Sequence, residues 1–110
     1  MVFTFDHSLL IEPYYHEDNI FMLTVPAGMP FAFEQTSIAS PVQFDVFDKN
    51  GNKCGYVRYR SGCFRVDVVK NAIYKPIFSL EDESLEEWPD NYFMSIAARV
   101  LDAYFKAMYC

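Results

Sequence analysis

The stretch NYFMSIAARVLDAYFKAMYC, residues 91–110, decides the fold. With about 100° of rotation per residue in a helix, its polar side chains fall within one arc of roughly 80°. These side chains belong to Asn91, Ser95, Arg99, Asp102 and Lys106. The rest of the circumference is apolar, which is far more than an ordinary surface helix carries. We therefore expect other structure to enclose this helix and the polar arc to face water.

The segment EDESLEEWPD, residues 81–90, directly precedes this helix and carries six acidic residues in ten positions. Ser84 followed by Glu87 matches a capping box, which predicts one helical turn ended by Pro89. Asp90 is a suitable N-cap for the long helix, because its carboxylate suits the positive end of the helix dipole.

The middle of the chain predicts a three-strand antiparallel meander over residues 42–69. Its strands are Gln43–Phe47, Cys54–Arg60 and Cys63–Val69, joined by the loop DKNGNK and by a Ser61-Gly62 turn. This register sets Arg58 opposite Arg65 and Phe47 opposite Cys54. One face is apolar, and Gly55 leaves a gap there for a large side chain. The other face carries Gln43, Asp45, Tyr56, Arg58, Arg60, Arg65 and Asp67.

Shorter apolar runs predict further strands on both sides of the meander. They are Val2–Phe5, Leu9–Tyr15, Ile20–Val25, Phe31–Phe33 and Ile73–Leu80, and Pro76 suggests an edge strand or a bulge. We therefore predict a single α+β domain over residues 1–110. In it, an antiparallel curled sheet of about five to seven strands packs on or around the hydrophobic C-terminal helix.

Charge is distributed unevenly along the chain, whose net charge is −6. Residues 1–48 sum to −7, residues 49–75 to +6 and residues 76–110 to −5. An acidic total disfavours direct nucleic-acid binding, because most of the surface repels phosphate. The charges in the last helix argue against membrane insertion. Three cysteines and an N-terminus without a basic leader or a continuous apolar run lead us to expect reduced thiols and a cytoplasmic protein.

Catalytic groups are sparse in this sequence. His7 and His16 are the only histidines, and their spacing matches no zinc or nucleophile–base pattern. The sequence contains no phosphate-binding glycine loop, no G-x-S-x-G and no C-x-x-C. We therefore expect no metal, no cofactor and no enzymatic activity, with binding as the function.

Two surfaces are candidates for partner binding. The first is an arginine face of Tyr56, Arg58, Arg60 and Arg65, in which two directly opposed arginines need an anion or a carboxylate between them. Local pairing with Asp45 and Asp67 on a solvated sheet face is the simpler explanation. The second is an acidic surface around one aromatic residue, comprising Glu81, Asp82, Glu83, Glu86, Glu87, Trp88 and Asp90. A solubilising loop explains it equally simply.

The first functional hypothesis is a small acidic protein that binds and inhibits a basic, nucleic-acid-handling partner protein, its acidic residues acting as a nucleic-acid mimic. Immunity proteins and phage-encoded inhibitors of bacterial defence, including anti-CRISPR proteins, share this small size, acidity and aromatic richness; the argument is one of class analogy. The alternatives are an assembly subunit that forms a homodimer through the C-terminal helix, and a small ligand-binding barrel or enzyme.

Overall fold

The computed structural model describes residues 14–17, 19–25, 28–37, 42–60, 62–83 and 90–109. The predicted strand Val2–Phe5, most of Leu9–Tyr15 and the predicted helical turn at 84–89 lie outside these residues. Within these ranges, seven strands are followed by one helix. They are β1 (Tyr14–Glu17), β2 (Ile20–Thr24), β3 (Pro30–Ser37), β4 (Val42–Phe47), β5 (Lys53–Arg60), β6 (Cys63–Lys70), β7 (Ile73–Glu81) and α1 (Asp90–Tyr109).

The seven strands form one antiparallel sheet in which each strand pairs with the next in the chain, in the order β1 to β7. The helix α1 contacts β2 near one end of the sheet and β5 and β6 near the other, so the sheet curls around it. The predicted fold class, a curled antiparallel sheet packed on a C-terminal helix, is confirmed. β3 is longer than the predicted Phe31–Phe33, since strand pairing with β4 continues to Ser37.

The register of the central meander agrees with the prediction at the β5–β6 hairpin, where Arg58 pairs with Arg65 and Arg60 with Cys63. The predicted pairing of Phe47 with Cys54 is wrong, because a β-bulge after Val46 sets Phe47 opposite Lys53. Pro76 behaves as predicted: it lies in β7, the last strand of the described sheet, opposite Asp67 and next to an irregularity in the register.

The core lies between the inner sheet face and α1. Aromatic pairs connect the two layers: the Tyr59 and Phe93 rings stack at 4.4 Å, and the Phe64 and Phe93 rings lie 5.1 Å apart. Tyr59 is partly buried, whereas the fully buried members of the core include Phe31, Phe33, Val46, Val57, Phe64, Val66 and Leu101. Burial of these apolar side chains is the main stabilising contribution to the fold.

Gly55 receives a large side chain, as its sequence position predicts. A Cβ atom built at Gly55 would lie 2.9 Å from Cδ1 of Leu101 and 3.3 Å from Cβ of Val46. The absence of a side chain on β5 therefore allows α1 to approach the sheet closely at Leu101.

The helix is rotated differently from the prediction. All residues from Tyr92 to Ala98 are buried, Ser95 included, and Asp102 is only 5% exposed. Among the side chains of α1 that the structure describes, the exposed ones are Ala103, Lys106, Ala107 and Met108. The prediction that the polar arc faces water is therefore wrong for Ser95 and Asp102. The physical reason is that Asp102 has partners: the Met29 N–H donates to its Oδ1 at 2.9 Å, and Lys106 Nζ lies 3.0 Å from its Oδ2.

In the part of the chain that the structure describes, no helix combines the length and the apolar character needed to cross a membrane.

Candidate functional site

The four residues of the predicted arginine face lie on the outer side of β5 and β6. Arg58 and Arg65 are cross-strand neighbours, and Tyr56 and Arg60 flank Arg58 at alternate positions of β5. Three of the four side chains surround one shallow depression of about 280 Å³, whose lining is Arg58, Arg60, Cys63 and Arg65. We call this depression the arginine pocket. Cys63, whose thiol is free, is an exposed member of this lining.

The arginines differ in how they are partnered. Arg65 Nε lies 3.1 Å from Oδ1 of Asp67, although the two groups are not aligned for a hydrogen bond. The expected second local partner, Asp45, pairs instead with Lys53, with 3.0 Å between Nζ and Oδ1. Within the described ranges, neither Arg58 nor Arg60 makes an ion pair. Among the described residues, a carboxylate therefore pairs with one arginine of the pocket, and Arg58 and Arg60 have no such partner.

Tyr56 belongs to a neighbouring cluster and does not line the arginine pocket. Its ring meets the Tyr74 ring edge-to-face, with 5.6 Å between centroids, and the Lys53 ammonium donates to the Tyr74 hydroxyl. Partial burial raises the pKa of Tyr56. The hydrogen bond with Tyr74 is the largest contribution to the raised pKa of Lys53, and Asp45 adds to it against the effect of burial.

The first part of the acidic surface lies beside the arginine pocket. Glu81, Asp82 and Glu83 line a second depression of about 430 Å³, together with Gly62 and Cys63. We call it the acidic pocket. Cys63 is shared by the two depressions, because it pairs with Arg60 on one side and with Glu81 on the other. Opposite charges therefore meet across one strand of the sheet.

Gly62 contacts the backbone of the acidic pocket at Asp82. Its φ of 76° is in the left-handed region, which suits glycine in a tight hairpin turn. The Asp82 N–H donates to the Gly62 carbonyl oxygen at 2.8 Å. A Cβ atom built at Gly62 would lie only 2.8 Å from the Asp82 carbonyl oxygen. The β5–β6 turn therefore fixes the start of the acidic segment by backbone contact.

The remaining residues of the predicted acidic surface are not brought into the site by the structure. Glu86, Glu87 and Trp88 lie outside the described residues, and Asp90 is described only as the first residue of α1. Their role in partner binding stays a prediction.

Sequence reasoning missed a third depression, which is larger than these two. It is a groove of about 570 Å³ between the second half of α1 and the ends of β5, β6 and β7. We call it the apolar groove. Its wall includes Cys54, whose pKa is raised to about 12, chiefly by burial and secondarily by Asp48. Because its pKa lies well above physiological pH, that thiol is neutral there and forms part of the apolar wall. Ile73 and Met108 are exposed at the mouth of the groove. The sequence shows that both are apolar, but only the fold brings them together.

The chemistry available at these sites is recognition of charge. Two guanidinium groups without local ion pairs can bind a carboxylate or a phosphate through charge-assisted hydrogen bonds. Among the residues that the structure describes, no three His, Cys, Asp or Glu side chains are grouped so that they could hold a metal ion. The thiols of Cys54 and Cys63 are free.

No protein family, no curated protein and no solved structure shows a significant match to this chain.

Proposed function

We propose that this protein acts by binding another protein through the outer face of β5 and β6, with the arginine pocket as the centre of the contact. In the specific form of the proposal, the chain inhibits a nucleic-acid-handling partner. The arginine pocket binds an acidic group of that partner, and the neighbouring acidic pocket faces its basic nucleic-acid site.

One observation carries the proposal: Arg58 and Arg60 line a common pocket without an ion pair among the described residues. Like charges held close together on a sheet are unfavourable unless an anion joins them. Arginine is also enriched among the residues that dominate the affinity of protein interfaces. A carboxylate from a partner would relieve the repulsion and gain bidentate hydrogen bonds.

The acidic pocket supports the inhibitory form of the proposal. Glu81 and Glu83 are exposed beside the arginine pocket. Exposed carboxylates attract a basic surface over about 10 Å at moderate salt, which speeds association with a nucleic-acid-binding protein. A cytoplasmic setting forms part of the proposal, and two free thiols support a reducing compartment.

The test is capture of the partner by the purified chain carrying Arg58→Glu and Arg60→Glu together. These two arginines are better probes than Arg65, because reversing the charge of Arg65 would leave Asp67, which is 2% exposed, without its partner. We expect affinity to fall at least about 30-fold, as for a hot-spot pair, with an unchanged melting temperature. The matched control is Lys49→Glu, which makes the same kind of charge change at an exposed loop position outside both pockets.

The acidic pocket is tested separately with Glu81→Lys and Glu83→Lys. Weaker binding that becomes insensitive to added salt, with recovery of the partner's nuclease or nucleic-acid-binding activity, is the result expected for an inhibitor. Unchanged capture by the double arginine variant would overturn the arginine pocket as the contact. Capture of a partner whose activity the wild-type chain leaves intact would overturn inhibition.

A further inference from the structure

The apolar groove is distinct from the surface proposed for partner binding. Its wall is formed by the second half of α1 and the ends of β5, β6 and β7. It includes Met29, Val68, Tyr104, Phe105 and Met108. Its volume of about 570 Å³ lies within the roughly 300–1,000 Å³ of typical small-molecule sites. Met108 and Ile73, at 54% and 70% exposure, leave apolar surface in water at its mouth. Burial of that surface by a ligand is favourable.

The rim of the groove carries positive charge although the chain as a whole is acidic. Lys53, Lys70 and Lys75 lie on the rim, and among the lining residues that the structure describes Asp48 is the only acidic one. Asp48 is already engaged, since its Oδ1 accepts the backbone N–H groups of Asn50 and Asn52. Lys53 is paired with Asp45. Lys70 and Lys75 are exposed, and neither makes an ion pair with any other described residue.

From the apolar wall and the lysine rim we infer that the groove binds an amphipathic carboxylate with a single hydrocarbon chain, of the fatty-acid class. The chain lies against Phe105, Val68 and Met108, and the carboxylate lies at the rim near Lys70 and Lys75. Charge complementarity selects this occupant: a cationic amphiphile would meet the lysines, and an uncharged one would leave them without a counter-ion. This inference is independent of the proposed protein-binding function.

The first experiment measures binding of laurate, myristate and palmitate to the whole chain by thermal shift and by titration calorimetry. Dodecyltrimethylammonium and dodecanol serve as charge controls of matched chain length. We expect the carboxylates to raise the melting temperature, and affinity to increase about fourfold per added methylene until the groove is full. The two controls should bind more weakly. Equal binding of the cation, or no stabilisation by any carboxylate, would overturn the inference.

The second experiment localises the ligand. Lys70→Glu together with Lys75→Glu should weaken laurate binding roughly tenfold, and Met108→Glu, at an exposed position on the mouth, should weaken it as well. Lys49→Glu lies outside the groove and is the matched control. The Arg58→Glu, Arg60→Glu variant should bind laurate as the wild type does, which separates this site from the arginine pocket. Unchanged laurate affinity in both groove variants would place the ligand elsewhere and overturn the assignment.

Sizing by light scattering covers the competing occupant, a second copy of the chain. The wild-type protein and the Met108→Glu variant should have the same mass at every protein concentration. A concentration-dependent dimer that this variant dissociates, and that laurate does not, would show that the groove is a self-association surface and would overturn the inference.

Discussion

At the scale of single residues, Asp67 departs most from what the outer sheet face leads one to expect. It is 2% exposed, although alternation assigns it to the polar side of the sheet. Tyr56 lies directly across from it, and the Tyr56 ring packs edge-to-face on Tyr74. Aromatic residues at this end of the sheet therefore exclude water from part of the polar face. Burial raises the pKa of Asp67, and the Arg65 guanidinium only partly opposes that effect.

Replacing Asp67 by Asn should stabilise the protein at neutral pH. Because the folded-state pKa of Asp67 lies above its unfolded value, its protonated form favours folding, and that stabilisation is lost as pH rises through the folded pKa. Asn resembles the protonated carboxyl at every pH. The gain in unfolding free energy over the wild type should therefore be present at about pH 7 and shrink towards about pH 4. Urea unfolding across this range measures it.

The control for this prediction is Asp45→Asn, which removes a carboxylate from the same face together with its ion pair to Lys53. It should leave stability unchanged or lower it by less than about 1 kcal/mol. If Asp67→Asn were destabilising at about pH 7, the ion pair with Arg65 would outweigh the cost of burying the carboxylate.

At the scale of the elements, the helix shows where sequence periodicity is informative and where it is not. The length of α1, its start at Asp90 and its wide apolar surface follow from the sequence, and the observed helix is Asp90–Tyr109. Its rotation does not follow, because periodicity records polarity and not partners. Asp102 is buried since it accepts the Met29 N–H and pairs with Lys106. The loop that supplies Met29 is more than seventy residues away in the chain, so no local pattern indicates this contact.

The contact between Gly55 and Leu101 sets how closely the helix approaches the sheet. Gly55→Ala should destabilise the protein by about 1–3 kcal/mol, because its Cβ would lie 2.9 Å from the Leu101 side chain in a packed core. Leu101→Ala alone should cost about 2–5 kcal/mol through the cavity it leaves. In the double variant the new Cβ occupies part of that space, so the two losses should be less than additive by about 1 kcal/mol or more.

Chemical unfolding of the two single variants and the double variant measures this coupling. Phe105→Ala combined with Gly55→Ala is the comparison pair, since Phe105 lies one turn further along α1 and is not among the atoms nearest to Gly55. The losses of unfolding free energy in this comparison pair should add. Additive losses for the Gly55 and Leu101 pair would show that the helix shifts freely to accommodate a side chain on β5.

At the scale of the whole molecule, the sequence predicts the features that depend on segments adjacent in the chain. The β5–β6 register and the placement of Arg58, Arg60 and Arg65 on one face follow from a two-residue turn and from alternation. The depression that these arginines line with Cys63 was not predicted. The pairing of Phe47 failed because a bulge is a one-residue irregularity that alternation does not reveal. The apolar groove could not be predicted, since it combines the loop at Met29, the β6–β7 hairpin and the end of α1. Such a site exists only after the sheet curls around the helix.

The curled sheet also divides α1 into two halves that should differ in stability. Tyr92–Ala98 is buried and Leu101 is fully buried, whereas Ala103 and residues 106–108 are exposed. Native-state hydrogen exchange should therefore show amides 96–102 opening only with global unfolding. Amides 106–108 should exchange at least about tenfold faster through local fraying of the helix end. The protected strand β5, covered on both edges, provides the global reference.

Equal protection along the whole helix would contradict this division. If that protection fell on dilution, a second copy of the chain would be covering the groove, and assembly through α1 would replace ligand binding as the explanation of its exposed apolar surface.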